Sequence, residues 1–332
     1  MLFTSEDLAE AATVVYRSMQ PTPQYAWPLL GQALGTPGSP MPVWVKHENH
    51  TPTGAFKVRG GLVYMHRLRR DRPDVRGVVS ATRGNHGQSL ALAGARAGIE
   101  VTIVVPHGNS PDKNAAMRAF GAELVEHGDD YQAALEHSRR LAAERNLEPV
   151  GPYHPELVVG VATYAKELFD AAGELDAVYV GIGMGSGICG LIGVRDLLGL
   201  RTEIVGVVAE QAPATALSFA AGHPVGTATA DTIIDGVACR VPDPVAIDAI
   251  VGGASRIVQV SDQACIDAVG LLLATTHNLA EPAGAIALAG LVVERERMQG
   301  KRVGVILSGG NLDMGLLPLI VVSAERARLS TL

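Results

Sequence analysis

Cysteine is scarce in this chain of 332 residues: Cys189, Cys239 and Cys265 are all it has. They lie far apart and form no C-x-x-C pair, which excludes a zinc ribbon and a disulfide framework and fits a reducing cytoplasm. Aromatic residues make up only 4% against 47% hydrophobic residues, so the core has to be built from Ala, Val, Leu and Ile. Basic blocks are missing as well. The formal charge of −7 is spread along the chain, which argues against nucleic acid and anionic membrane as partners. No apolar run approaches the roughly 18 residues that a membrane span needs. The opening segment, with Glu6 and Asp7, reads as a capped helix and lacks the basic and apolar regions of a signal peptide. The expectation is a soluble, cytoplasmic protein.

Glycine is abundant, at 38 residues, and gathers in short loops instead of forming a repeat. Between these loops, β-rich runs alternate with Ala-rich helical stretches. Residues 43–46, 77–80, 101–105, 123–125, 177–180, 203–208 and 302–307 read as strands. Most are continuously apolar, the mark of parallel strands covered on both faces. Residues 88–97, 113–120 and 131–146 read as helices. Such alternation implies a doubly wound α/β architecture. A β-α-β-α-β run over 77–150, closed by the turn-rich segment 148–155, reads as a small substrate-binding domain. It would be inserted in a larger one formed by 1–76 and 151–332. Ligands of open α/β sheets sit beyond the carboxyl ends of the strands, so the loops there carry the chemistry.

Four such loops stand out. The first, His47 to Gly61, ends a strand in small residues and starts a helix near Phe56. This sets Lys57 at a helix N-terminus, where the dipole disfavours an ammonium and favours a lysine able to form a Schiff base. The second, Ser80-Ala81-Thr82-Arg83-Gly84-Asn85-His86-Gly87-Gln88-Ser89, offers backbone N–H groups to an anion such as a substrate carboxylate; Asn85 or Thr82 can equally serve as an ordinary helix cap. The third, Gly181-Ile182-Gly183-Met184-Gly185-Ser186-Gly187, can wrap a phosphate at a helix N-terminus. A dinucleotide site is the other reading of this loop, with Glu210 as ribose acid, but the glycine spacing departs from G-x-G-x-x-G. The fourth, Ser308-Gly309-Gly310-Asn311, places a neutral hydroxyl at a strand end, where an ordinary turn is also possible.

Taken together and in this order, the four loops resemble fold-type II pyridoxal-phosphate (PLP) enzymes of the serine/threonine dehydratase and serine racemase group. The resemblance covers nearly the whole chain. It implies two open twisted, mostly parallel sheets with helices on both faces and an active site in the interdomain cleft. Thr53-Gly54-Ala55-Phe56-Lys57-Val58-Arg59-Gly60 matches the family's Ser-Phe-Lys-x-Arg-Gly signature, which makes Lys57 the Schiff-base lysine, with Phe56 packing beside the ring. Asn85 would contact the cofactor's 3′-hydroxyl. Gly183, Met184, Gly185, Ser186 and Gly187 would hold its phosphate, though Met184 and Ser186 stand where the family has glycines. Ser308 would face the pyridine nitrogen, with Gly309, Gly236 and Glu281 close to the ring. The substrate would meet Ser80, Thr82, Arg83, Gly84, Asn85 and His86. Lys57 and Ser308 are the catalytic pair implied.

The activity implied is β-elimination from a 3-hydroxy amino acid, with L-threonine or L-serine as the simplest substrate, giving a 2-oxo acid and ammonia. The alternatives are dehydration of threo-3-hydroxyaspartate or 3-phenylserine, or racemisation. Arg83 bears on all three. Racemases of the group have a serine there, and a permanently charged guanidinium cannot shuttle a proton. It can pair with a second carboxylate, or simply meet solvent. No metal is expected, because Ala216 replaces the aspartate that with Glu210 and the Ala214 carbonyl would bind a cation. The C-terminal regulatory domain of biosynthetic threonine dehydratases is not expected after Asn311. Family habit implies a homodimer.

Overall fold

The computed structural model describes residues 2–331. Its strands are β1 (Gln24–Ala26), β2 (Val43–His47), β3 (Gly77–Ala81), β4 (Glu100–Val105) and β5 (Glu123–Glu126), then β6 (Glu148–Pro149), β7 (Ala177–Gly181), β8 (Glu203–Ala209), β9 (Arg256–Val260) and β10 (Val303–Leu307). The helices begin with α1 (Ser5–Tyr16), α2 (Pro28–Leu34), α3 (Lys57–Asp71), α4 (Asn85–Ala97), α5 (Pro111–Ala119) and α6 (Tyr131–Arg145). They continue with α7 (Pro155–Ala172), α8 (Ser186–Leu197), α9 (Ala214–Ala221), α10 (Pro244–Gly253), α11 (Asp262–Thr276), α12 (Pro282–Val293) and α13 (Leu317–Thr331). None of the helices among the described residues is long and apolar enough to cross a membrane.

Contacts divide the chain into two compact units. The larger, residues 2–4, 21–50 and 164–331, holds a six-stranded sheet in the order β1-β2-β10-β7-β8-β9. Within it only β1 runs antiparallel, with Tyr25 opposite Val45. Every residue of β10 is buried, as expected of a parallel strand with helices over both faces. The core is aliphatic: Val205, Val207, Ile286, Leu288, Val303 and Val305 are members. α12 has buried residues all round its circumference from Gly284 to Leu291, the pattern of a central helix and not of a surface one.

The smaller unit, residues 5–20 and 51–163, carries the four-stranded sheet β5-β4-β3-β6, parallel throughout. Its extent differs from the 77–150 read from sequence, and the packing gives the reason. α3 lies against α4, and Arg67 on α3 binds Glu10 of α1 at 3.0 Å and Asp7 at 3.1 Å. α3 also crosses the start of α7 backbone to backbone. A Cβ on Gly160 would stand 2.4 Å from the Arg59 carbonyl oxygen, and one on Gly60 would stand 2.7 Å from that of Leu157. Arg59, fully buried, donates to Thr163 Oγ1 at 3.0 Å. Residues 5–20 and 51–76 therefore go with the four-stranded sheet.

Candidate active site

In the smaller unit, Lys57 is the first residue of α3, and no side chain caps that helix. The turn before it is shaped by Gly54, left-handed at φ 67°, and by Thr51, whose hydroxyl donates to the Ala55 carbonyl at 2.8 Å. Lys57 Nζ lies 4.9 Å from the centre of the Phe56 ring. The Lys57 carbonyl accepts from Ser89 Oγ at 2.6 Å, and Ser89 is fully buried on α4. A Cβ on Gly61 would fall 2.3 Å from that hydroxyl oxygen. The starts of α3 and α4 are thus fixed side by side, with Lys57 next to the β3–α4 loop.

That loop holds Thr82, Arg83 and Gly84 and runs into Asn85 and His86 at the first turn of α4. Thr82 Oγ1 accepts from the Gly84 N–H at 3.2 Å, and Asn109 Nδ2 donates to the Arg83 carbonyl at 3.1 Å. No side chain caps α4, and a helix start of this kind favours an anion. The Arg83 side chain is exposed and Asn85 half-buried. His86 is buried, with its ring bonded to the backbone of Val150 and Gly151, while Nε2 has no hydrogen-bond partner among the described residues. Burial first, then the charge of Lys57, pushes its pKa down to about 3 against those two backbone bonds, so the ring is neutral at any working pH. Ser80 is committed elsewhere. Its hydroxyl donates to the Val150 carbonyl at 2.7 Å, beside a cavity of about 200 Å³ lined by β3, Tyr131, Leu135 and residues 149–152.

In the larger unit four segments converge at the carboxyl ends of β7 and β10. A Cβ on Gly183 would lie 2.4 Å from the Gly236 carbonyl oxygen, one on Gly236 would lie 2.6 Å from Ala283 Cβ, and one on Gly284 only 2.0 Å from the Gly309 carbonyl oxygen. Hydrogen bonds tie the same segments: Glu281 N–H to the Gly309 carbonyl, and Ser308 N–H to that of Gly284, both at 3.2 Å. Ser308 Oγ donates to the Ala283 carbonyl at 3.2 Å. Glu281 is buried. Gly185 precedes α8 at φ 98°, a left-handed conformation, and no side chain caps that helix. The buried Ser186 hydroxyl makes no hydrogen bond among the described residues. Together, Gly183 to Gly187 form a polar cradle at a helix N-terminus, suited to a phosphate. Met184 leans on Cys239, whose thiol lies 3.4 Å from the Met184 sulfur; burial holds that thiol protonated, with its pKa pushed up to about 11.

Sequence reasoning named the loops but missed what fixes them. Asn109 and Cys239 carry no motif of their own, and only packing reveals them; Ser89 closes the second motif, but its bond to Lys57 shows only in the fold. Seen across families, residues 15–309 match the one described as pyridoxal-phosphate dependent enzymes. The chain belongs to that family. It is 31% identical to the L-threo-3-hydroxyaspartate ammonia-lyase of Saccharomyces cerevisiae over 97% of both chains. With the L-threonine ammonia-lyase of Thermotoga maritima it shares 28% identity over 96% of this chain and 78% of that one. Among solved structures, the processed threonine deaminase isoform 2 of Solanum lycopersicum superposes with a TM-score of 0.88 at 27% identity, covering 97% of this chain and 94% of that one. The chain is thus a fold-type II PLP enzyme, with its two parallel-rich sheets flanked by helices.

Proposed function

We propose that this PLP enzyme is an ammonia-lyase that dehydrates a 3-hydroxy amino acid, L-threonine and L-serine being the simplest, to a 2-oxo acid and ammonia. The observation that carries the reading is Lys57: first residue of α3, beside the Phe56 ring, with its carbonyl locked to α4 by Ser89. Names of relatives support the same reaction, since the yeast and Thermotoga proteins are ammonia-lyases.

The residues present fit the cofactor. The uncapped α8 N-terminus, with Gly183, Met184, Gly185, Ser186 and Gly187, suits its phosphate, and the strain-free left-handed turn at Gly185 opens the cradle. Gly236, Glu281, Ser308 and Gly309 would line the ring, Asn85 its 3′-hydroxyl, and Lys57 its aldehyde carbon. The chemistry PLP would supply when bound is an electron sink for the α-carbon, which favours loss of the 3-hydroxyl. Lys57 would take the α-proton. Thr82, Arg83, Gly84, Asn85 and His86 at the start of α4 would meet the substrate carboxylate, with Ser80 supporting the loop from behind. Ser308 is uncharged, so it does not fix a proton on the ring nitrogen. The 3-hydroxyl leaves as water. The released enamine becomes an imine and hydrolyses with one water to the 2-oxo acid and ammonia, so atoms balance. We read the larger unit as the PLP-binding domain and the smaller as the substrate-binding domain. We further propose a cytoplasmic homodimer; three buried free cysteines suit a reducing compartment.

Lys57→Ala should bind cofactor without the visible absorbance of its lysine-linked form, and should lose at least about 10³-fold in 2-oxo acid production from L-threonine and L-serine. A variant that keeps both the absorbance and the activity rejects the assignment. The homodimer is checked by light scattering of the eluted holoenzyme, where a monomer mass would overturn it.

A further inference from the structure

The smaller unit holds a cavity of about 200 Å³ that the proposed reaction leaves unused. Its place follows from the alternation of β4. Val101 and Ile103 point toward α4, since a Cβ on Gly94 would stand 2.3 Å from Val101 Cγ2 and one on Gly87 3.3 Å from Ile103 Cγ2. Val104, with Val79 and Ala81 of β3, packs instead on Ala134 and Leu141 of α6, on the opposite face of the sheet. Val79 and Ala81 line the cavity together with Leu135, Pro149, Val150 and Pro152, so it lies under α6 and away from α4. Most of this wall is apolar, and two of its hydroxyls are spent. Ser80 Oγ donates to the Val150 carbonyl and Ser138 Oγ to that of Leu135, both at 2.7 Å. Arg139 is the one charged residue in the lining. Of the other arginines of α6, Arg140 lies on His127 and His137 at 3.3 and 3.1 Å, and Arg145 binds Glu123 at 2.9 Å. Arg139 is exposed and makes no hydrogen bond or ion pair among the described residues.

An apolar hollow beside one unpaired cation suits an amphipathic anion. A volume of about 200 Å³ is several times the roughly 30 Å³ of one liquid water and below the roughly 300 Å³ at which drug-sized pockets begin. The occupant is therefore a handful of heavy atoms. We propose that this cavity is an effector site for a short aliphatic monocarboxylate, with its chain among Val79, Ala81, Leu135 and Val150 and its carboxylate on Arg139. A guanidinium holds a carboxylate through two parallel N–H bonds. The same wall reaches the β3–α4 loop. Val150 N–H donates to the Val79 carbonyl at 2.9 Å, and the His86 ring is bonded to the backbone of Val150 and Gly151. A Cβ on Gly151 would meet only the Tyr153 carbonyl oxygen, at 3.7 Å, so the wall is loosely packed there. An occupant firms this stretch and with it the seat of His86, in the first turn of α4. Ordering a binding loop in advance strengthens what it binds. Occupancy then lowers the KM for substrate, a consequence that rests on the function proposed above, whereas binding in the cavity does not.

Pentanoate is the probe, 1-pentanol its uncharged counterpart, and both are tested on the holoenzyme. At about 20 mM, against a Kd of about 1 mM for so small a ligand, pentanoate should raise the Tm by about 2 °C. The alcohol should raise it by less than half as much. Leu135→Trp should abolish the rise by filling the space. Arg139→Gln should weaken pentanoate binding about tenfold, and its exposed position keeps the test open where Leu135→Trp fails to fold. Kinetics with L-serine complete the test. Pentanoate should lower the KM of the wild type about threefold and leave that of Leu135→Trp unmoved. No Tm rise in the wild type, a rise that both variants keep, or competition between pentanoate and L-serine overturns the site. A rise lost in both variants, with no change in the wild-type KM, overturns the link to His86. No 2-oxo acid from L-serine or L-threonine, in wild-type protein that binds pentanoate and retains its cofactor absorbance, overturns the lyase and leaves the cavity site standing.

Discussion

Gly284 lacks a side chain at a point where a methyl group would lie 2.0 Å from the Gly309 carbonyl oxygen and 3.0 Å from its carbon. The obstacle is backbone, and so cannot swing aside as a side-chain tip would. The same residue's carbonyl accepts the Ser308 N–H at 3.2 Å, so any shift of α12 moves the proposed ring partner. Gly284→Ala should cost about 3 kcal/mol through overpacking and reduce the cofactor content of purified protein. Urea unfolding and cofactor absorbance check the two effects, and a variant as stable and as loaded as wild type would contradict the packing argument. At this scale the sequence was partly legible. Lys57, Asn85, Ser186 and Ser308 announced themselves because a special residue type sat at a strand-to-helix turn. Asn109 and Lys113 did not, since a loop asparagine and a half-buried lysine are unremarkable until the fold sets them against Arg83 and Gly84.

Most strands were legible because burial on both faces makes them continuously apolar; β5 was read without such burial, while β1, β6 and β9, all edge strands, were not read. β9 at the sheet edge reads Arg-Ile-Val-Gln-Val with most of its residues half-buried or exposed, so it offers no apolar run to detect. β6 is two residues long and contains Pro149, which an edge position tolerates. β9 instead gains from its polar first residue. Arg256 donates to both oxygens of Glu294 at 2.9 Å and to Glu203 at 2.5 Å, while the buried Tyr179 hydroxyl donates to Glu294 at 2.5 Å. Glu294 at the end of α12 thus ties β7 to β9, Arg256 carries the network on to Glu203 of β8, and with Arg256 and Glu294 only 15% exposed it is largely shielded from water. Glu294→Ala leaves a guanidinium and a phenol short of their acceptor. It should lose about 3 kcal/mol, whereas Glu294→Gln, which keeps an acceptor oxygen, should lose less. Chemical denaturation of the pair checks this, and equal losses would show that the charge and its hydrogen bonds are not what matters.

For the molecule as a whole, each unit buries a histidine whose charged form burial disfavours. In the smaller it is His86, at a pKa of about 3. In the larger it is His47, pushed down to about 4 by burial and by the charges of His50 and Lys46, with Asn49 opposing. Trp27 Nε1 donates to His47 Nε2 at 2.9 Å, so Nδ1 carries the proton of the neutral ring, a state that further protonation would break. Both folded values lie below the unfolded value near 6.5. Between about pH 6.5 and pH 4 the unfolded chain therefore binds protons that the folded chain refuses. Stability is fully present above pH 6.5 and declines as the pH falls, by about 1.4 kcal/mol per unit for each ring. Since the two rings belong to different units, the decline is not confined to one of them. Urea midpoints of the holoenzyme, taken from pH 7.5 to 4.5, should fall steadily below pH 6.5. Replacing His86 by Gln removes one of the two titrating rings, so the slope over that range should drop by about half whatever its effect on stability at pH 7.5. A slope that the substitution leaves intact would mean that carboxylates, and not the buried imidazoles, govern the acid limb.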